Sequence, residues 1–256
     1  MLRNMTPIRT KRIFISALFV ASIFLVASQQ AVGNSLAPHA EQSADYQIVF
    51  EASWDPADVP NPHFSGLIGA SHNSSTSFWK TGELATDGIE NMAETGGTST
   101  LRSEINADTN ANLVISGGGI FPSPNSTTIS SVTLDHDYPL VTLVSMIAPS
   151  PDWFVGVSGL SLIDEEGDWI DEIIVELAPY DSGTDSGPQF TSPNENTNPA
   201  EPISRIEDSD LFPNIPLGTF RFIRIDGPEP TPIASPTPVE PFNPTDFLYL
   251  PFAMVE

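Results

Sequence analysis

Leu140-Val141-Thr142-Leu143-Val144-Ser145-Met146-Ile147 and, after the turn Pro149-Ser150-Pro151-Asp152, Trp153-Phe154-Val155-Gly156-Val157 decide the fold class of this 256-residue chain. The first run is apolar at every position but Thr142 and Ser145, which suits a strand covered on both faces. The second, continued to residue 162, sets Val155, Val157, Leu160 and Leu162 among small residues. Strand signals recur on either side, bounded by turn residues. Tyr46, Ile48 and Phe50 alternate with Gln47 and Glu51, predicting a half-buried strand. Ile173, Val175 and Leu177 point one way and Ile174 and Glu176 the other. Residues 220–225, ended by Asp226-Gly227, predict a last strand, and 113–115 and 129–134 are weaker candidates. Helix is scarce: Thr86 is placed to cap one short helix through Ala93, closed by Gly96-Gly97. Many short strands with Gly- and Pro-rich turns predict an all-β fold. It is an antiparallel β-sandwich with a short helix and long loops, in preference to a barrel or an alternating α/β fold.

The two ends differ from this middle. Arg3, Arg9, Lys11 and Arg12 precede an apolar run at 13–26, broken by Ser16 and Ser22, and then Ala31-Val32-Gly33. Basic, apolar, then small residues is the order of a secretory signal peptide, assigned to 1–33. An uncleaved membrane anchor is the alternative, but the run is short for a bilayer span of roughly 20 residues. With the signal cleaved, no stable membrane span is expected. Residues 34–44 are a polar lead-in and 45–227 the sandwich domain. In 228–246, proline occupies six of the first fourteen positions, predicting an extended linker. Residues 247–256 form a short apolar tail, either an attachment tag or a last strand that folds back.

No acidic residue precedes Glu41, so the chain beyond the signal carries 33 acidic and 5 basic groups, a net charge of −28. That excludes nucleic acid as a partner, which needs basic patches to displace counterions. It suits a secreted, cation-rich setting. Cysteine is absent, so no disulfide framework staples the fold. About 180 residues are enough to bury a core without one.

Asp152 follows the Pro-Ser-Pro turn, and Asp181 and Asp185 flank Ser182-Gly183-Thr184 just after the strand ending near Leu177. In a sandwich, loops from neighbouring strands meet at one end, so the three carboxylates are candidates to converge. A hard cation such as calcium needs several oxygen ligands from loops that wrap it. Without a cation, three close carboxylates repel. The plainer reading is that Asp in Asp-Ser-Gly turns bonds the backbone.

The same segments resemble the spondin domain, the amino-terminal module of F-spondin and mindin. The resemblance runs through the segment 46–50 with Trp54, His63-Phe64-Ser65-Gly66-Leu67-Ile68-Gly69-Ala70-Ser71-His72-Asn73, Phe78-Trp79-Lys80-Thr81-Gly82 and Gly88-Ile89-Glu90-Asn91-Met92-Ala93-Glu94-Thr95-Gly96. It continues through the Asp152 segment, Gly167-Asp168-Trp169-Ile170, Pro179-Tyr180-Asp181-Ser182-Gly183-Thr184-Asp185-Ser186-Gly187 and Phe190-Thr191-Ser192-Pro193-Asn194, about 44–226 in all. It implies a calcium-binding β-sandwich used in extracellular recognition or adhesion, with Asp152, Asp181 and Asp185 as the carboxylate ligands of Ca2+, and no catalysis. Animal spondin domains carry cysteines; here the corresponding turn is 163–168 and has none. The protein is expected to be secreted, with the tail as a means of cell-surface association.

Other patterns imitate this one. Two Asp-Ser-Gly copies four residues apart cannot supply the two lobes of an aspartic protease. Asp181-x-Gly183-x-Asp185 has Ser192 where an EF-hand loop needs Glu. His63 and His72 bracket an apolar segment and are candidate transition-metal ligands, although such histidines more often bond within the fold. Trp54, Trp79, Trp153 and Trp169 either line a glycan site or pack the core. Asn73-Ser74-Ser75 and Asn125-Ser126-Thr127 fit the N-glycosylation pattern. The function expected is a secreted calcium-binding recognition module with an extracellular or cell-surface protein or glycan as partner. The alternative is a secreted hydrolase with its site near the acidic loops, and no convergent base–nucleophile set supports it.

Overall fold

The computed structural model describes residues 41–207, 210–213 and 216–227. The signal assignment at 1–33, most of the lead-in, the linker and the tail lie outside these residues. In chain order the strands are β1 (Ser43–Ala52), β2 (His63–Phe64), β3 (Ile68–His72), β4 (Ala111–Ser116), β5 (Ser126–Asp135), β6 (Leu140–Ala148), β7 (Trp153–Ser161), β8 (Glu172–Glu176), β9 (Pro179–Asp181), β10 (Ser204–Arg205) and β11 (Gly218–Arg224). Helices α1 (Asp87–Thr95) and α2 (Ser99–Ala107) lie between β3 and β4. One sheet runs β5-β1-β11-β8 and the other β10-β9-β7-β6-β3-β4, with β2 also pairing β6. The paired strands are antiparallel.

Strand β6 shows why its sequence is nearly all apolar. Val141, Leu143 and Ile147 point into the sandwich core with Tyr46, Phe50 and Phe220. Val144, Met146 and Ala148, on the opposite face, pack with Ile89, Met92 and Leu101 of the two helices. Both faces are therefore buried, and a polar residue on either would need its own partner. Strand β7 repeats the pattern, with Trp153, Val155 and Val157 in the first cluster and Phe154 in the second. β1, by contrast, buries only alternate residues, Ala44, Tyr46, Ile48 and Phe50, because its other face is partly open.

Helix α1 forms where its signals lie. Thr86 Oγ1 accepts from the Ile89 amide at 3.2 Å, and Gly96, with φ 69°, closes the helix by donating its N–H to the Met92 carbonyl at 2.9 Å. The single expected helix is joined by a second. α2 has no side-chain cap and buries only Leu101 and Ile105, too few positions to register as a periodic run. Its Glu104 instead serves α1: Oε1 accepts from the Gly88 amide at 2.7 Å and Oε2 from the Thr86 hydroxyl at 2.7 Å. β1 starts at Ser43, two residues inside the expected lead-in. Among the described residues, no helix is long and apolar enough to cross a membrane.

Candidate cation site

Strand pairing brings the three aspartates to one end of the larger sheet. β7 pairs β9 with Trp153 opposite Asp181, so the turn before β7 and the loop leaving β9 adjoin. Asp152 is wholly buried. Its Oδ2 accepts from the Ser182 hydroxyl at 2.9 Å, the Thr184 amide at 2.8 Å and the Asp185 amide at 3.1 Å. The carboxylate thus organises the whole 182–185 turn. Gly183 makes that turn fit: its φ is +77°, and a Cβ there would stand 2.0 Å from the Glu201 carbonyl oxygen.

The other two carboxylates tie down their own turns. Asp181 Oδ1 accepts from the Gly183 amide at 2.8 Å, and Oδ2 from Trp153 Nε1 at 3.2 Å. Asp185 Oδ1 accepts from the Gly187 amide at 2.8 Å, and Oδ2 from the Glu195 amide at 3.1 Å. The backbone-bonding role of Asp in such turns is therefore realised at both. Asp181 and Asp185 line a cleft of about 410 Å³ with Thr197 and Glu201, whereas Asp152 is not among its lining residues. Burial, then the charge of Asp152, push the Asp181 carboxyl up to about 6. The segments do converge. As placed, though, no three Asp, Glu, His or Cys groups among the described residues stand close enough to hold a metal ion.

Two atoms nevertheless point to a missing positive charge. Asp152 Oδ1 and Glu94 Oε1 are buried and have no hydrogen-bond partner. A buried carboxylate oxygen left unpaired is costly and calls for an explanation. Glu94 stands in the last turn of α1. Desolvation raises its carboxyl above the ordinary range, with repulsion from Glu90, Asp185 and Asp152 adding to it. With the hydroxyls of Ser182 and Thr184, these are hard oxygen donors of the kind calcium and magnesium take. The donor types suit such an ion, while the carboxylates as placed do not close around one. Glu94 lies inside a segment of the resemblance, but no sequence spacing ties a helix terminus to turns so far along the chain.

The remaining candidates are occupied structurally. His72 is buried, with Nδ1 bonded to the Asn73 carbonyl at 2.9 Å and Nε2 to Thr142 Oγ1 at 2.8 Å. His63 Nδ1 is bonded to the Asn61 carbonyl at 2.8 Å. Trp54, Trp153 and Trp169 belong to the sandwich core and Trp79 to the helix-side core. The acidic turn at 164–168 is exposed, and Asp164 Oδ1 there accepts from the Glu166 and Asp168 amides.

The described residues form an antiparallel sandwich with a helical layer on one sheet and an acidic turn cluster at the end of the larger sheet. The chain matches the family model described as Spondin_N over residues 44–220, from β1 into β11. It belongs to the spondin amino-terminal domain family. Among individual relatives, spondin-2 of Homo sapiens is 33% identical over 236 residues, covering 88% of this chain and 70% of its own length. Spondin-2 of Rattus norvegicus is 32% identical over 220 residues, or 79% of this chain and 66% of its own. Spondin-1 of Rattus norvegicus is 32% identical over 180 residues, covering 66% of this chain but 22% of its own length.

Proposed function

We propose that this chain is an extracellular recognition module of the adhesion type that carries a calcium ion at the end of the larger sheet. Family membership supports the matrix or adhesion setting. Asp152, Asp181 and Asp185 are the residues assigned to Ca2+ by the family resemblance. The reading rests physically on Asp152 Oδ1, a fully buried carboxylate oxygen with no partner. A divalent ion there neutralises the repulsion between Asp152 and Asp181 and fixes the 181–185 turn, which lines an open cleft. The partner is a cell-surface or matrix protein, or a glycan, met in a secreted setting.

Calcium is expected to raise the melting temperature of the chelated protein, adding about 2.7 kcal/mol of stability at a free level one hundred times its dissociation constant. Magnesium is expected to substitute poorly, because it demands a smaller, near-octahedral shell. Calorimetry on the chelated protein tests this directly, and silence at millimolar calcium rejects it. A pull-down from the cell-surface fraction of the source, with and without calcium, tests the recognition role.

A further inference from the structure

We propose that the stretch of β7 that β9 leaves unpaired, Gly156 to Ser158, takes up an extended basic peptide segment of a partner protein as an added strand. This rests on the recognition reading above and gives it a surface. β9 pairs β7 only at Trp153, Phe154 and Val155. The chain just before β9 explains why. Leu177 is still tied to the smaller sheet, its N–H donating to the Gly218 carbonyl at 2.9 Å and its carbonyl accepting from the Leu217 N–H at 2.9 Å. Pro179 already stands opposite Val155 in the larger sheet. β8 and β9 are thus one run of chain that changes sheets at Ala178. Gly156 and Val157 pair with Val144 and Leu143 of β6, and Ser158 stands at the register shift of that ladder. On their other side, no strand among the described residues pairs them. An unpaired strand edge presents N–H and C=O groups to a chain that lies along it.

This edge is open to approach. Strand edges are commonly closed by charged side chains or proline, and these three residues are small and uncharged. Gly159, with φ +62°, turns the backbone and ends the straight edge, so the addition is confined to 156–158. A cavity of about 690 Å³ lies beside it, lined by Gly156 and Gly159, by Trp79 and Lys80 of the loop before α1, and by Val175 and Glu176 of β8. The Ser158 hydroxyl donates to the Trp79 carbonyl and so holds the loop wall to β7. Charge selects the occupant. Lys80 is paired with Glu83 at 3.5 Å, whereas Glu176 has no ion pair among the described residues. The chain around it carries a net −28 beyond residue 33. A basic residue of the incoming strand therefore complements Glu176, and the long-range field draws such a segment in. Main-chain hydrogen bonds supply the affinity, and the cavity takes alternate side chains.

Panning a library of random displayed peptides on the protein tests the assignment, followed by calorimetry with the strongest binder made synthetically. That binder is expected to carry Lys or Arg among β-branched residues. The same peptide with alternate amides N-methylated keeps its side chains and loses its strand hydrogen bonds. It is expected to bind about tenfold or more weakly, the net worth of one or two hydrogen bonds. Glu176→Gln is expected to weaken the unmethylated peptide by about threefold, the effect of one exposed ion pair. Glu172→Gln, on the same strand but paired with Arg221, is expected to leave its affinity unchanged. Amide hydrogen exchange should show protection of 156–158 when the peptide is bound. No enrichment of basic segments, an affinity indifferent to N-methylation, or protection elsewhere overturns the edge assignment. Protection of 156–158 that grows with protein concentration and needs no peptide assigns the edge to a second copy, and likewise overturns it. If the cell-surface pull-down retains a partner that the peptide does not compete off, the recognition reading stands and the edge assignment fails.

Discussion

Asp152 has two oxygens with opposite circumstances, and substitutions separate them. Oδ2 holds a hydroxyl and two amides, while Oδ1 holds nothing. Asp152→Ala removes the acceptor of three donors and should destabilise the chelated protein by about 2–4 kcal/mol, since buried donors are left unpaired. Asp152→Asn keeps an acceptor for the turn and removes a charge that repels Asp181. It should leave the chelated melting temperature near or above that of the parent while abolishing calcium binding. Denaturant unfolding and calorimetry on the two variants check the contrast. Asp181 supplies a pH test. Its folded carboxyl is raised to about 6 from an ordinary 3.8, so the folded state holds a proton that the unfolded state has released. Stability from this group is therefore greatest in acid and falls as pH rises between these values. Glu94 is shifted the same way. The chelated protein should melt higher near pH 5 than near pH 7, and Asp181→Asn should flatten that slope. A slope unchanged by the substitution would assign the pH dependence to other groups.

At the scale of elements, the helical layer is what converts β6 and β7 from half-exposed strands into doubly buried ones. α1 and α2 meet at Gly88, where an added Cβ would stand 2.3 Å from Glu104 Oε2 and 2.7 Å from the Leu101 Cα. Gly88→Ala must therefore separate the helices and displace the carboxylate that caps α1. We expect a loss of about 1–3 kcal/mol, the usual cost of overpacking. Chemical denaturation measures the loss. A Gly88→Ala variant as stable as the parent would mean that the helical layer contributes little to the fold.

For the whole molecule, the excess of acidic groups acts on both the fold and the ion. A net charge of −28 beyond residue 33 repels itself in the compact state and concentrates cations around it. Raising sodium chloride from about 0.01 to 0.15 M shortens the screening length from about 30 to 8 Å. The chelated protein should gain stability over that range, and its apparent calcium affinity should fall. Melting curves and titrations at the two salt levels test this. A calcium affinity indifferent to salt would show that the long-range field adds nothing to the buried site. Without a disulfide, the sandwich depends on its two apolar clusters, and the proposed ion would add one further tie between distant segments.

Periodicity alone reported most of the strands. Alternation marked β1 and β8, and unbroken apolar runs marked β6 and β7, because each pattern reflects directly which faces are covered. Local chemistry also marked both ends of α1, since a Thr cap and a Gly stop act within one turn of chain. Asp181 and Asp185 were legible in Asp-Ser-Gly motifs and Asp152 in its Pro-Ser-Pro turn, and the ordered segments identified the family. α2 was not legible, because its two buried residues make a helix only when packed against α1. Nor was the unpartnered, buried Oε1 of Glu94 at the end of α1. The sequence also left open how the three aspartates divide their work. The structure decides that Asp152 organises the 182–185 turn from the buried side while Asp181 and Asp185 line the cleft. Burial and electrostatic neighbourhood are properties of what the chain brings together in space, and only the tertiary fold supplies them.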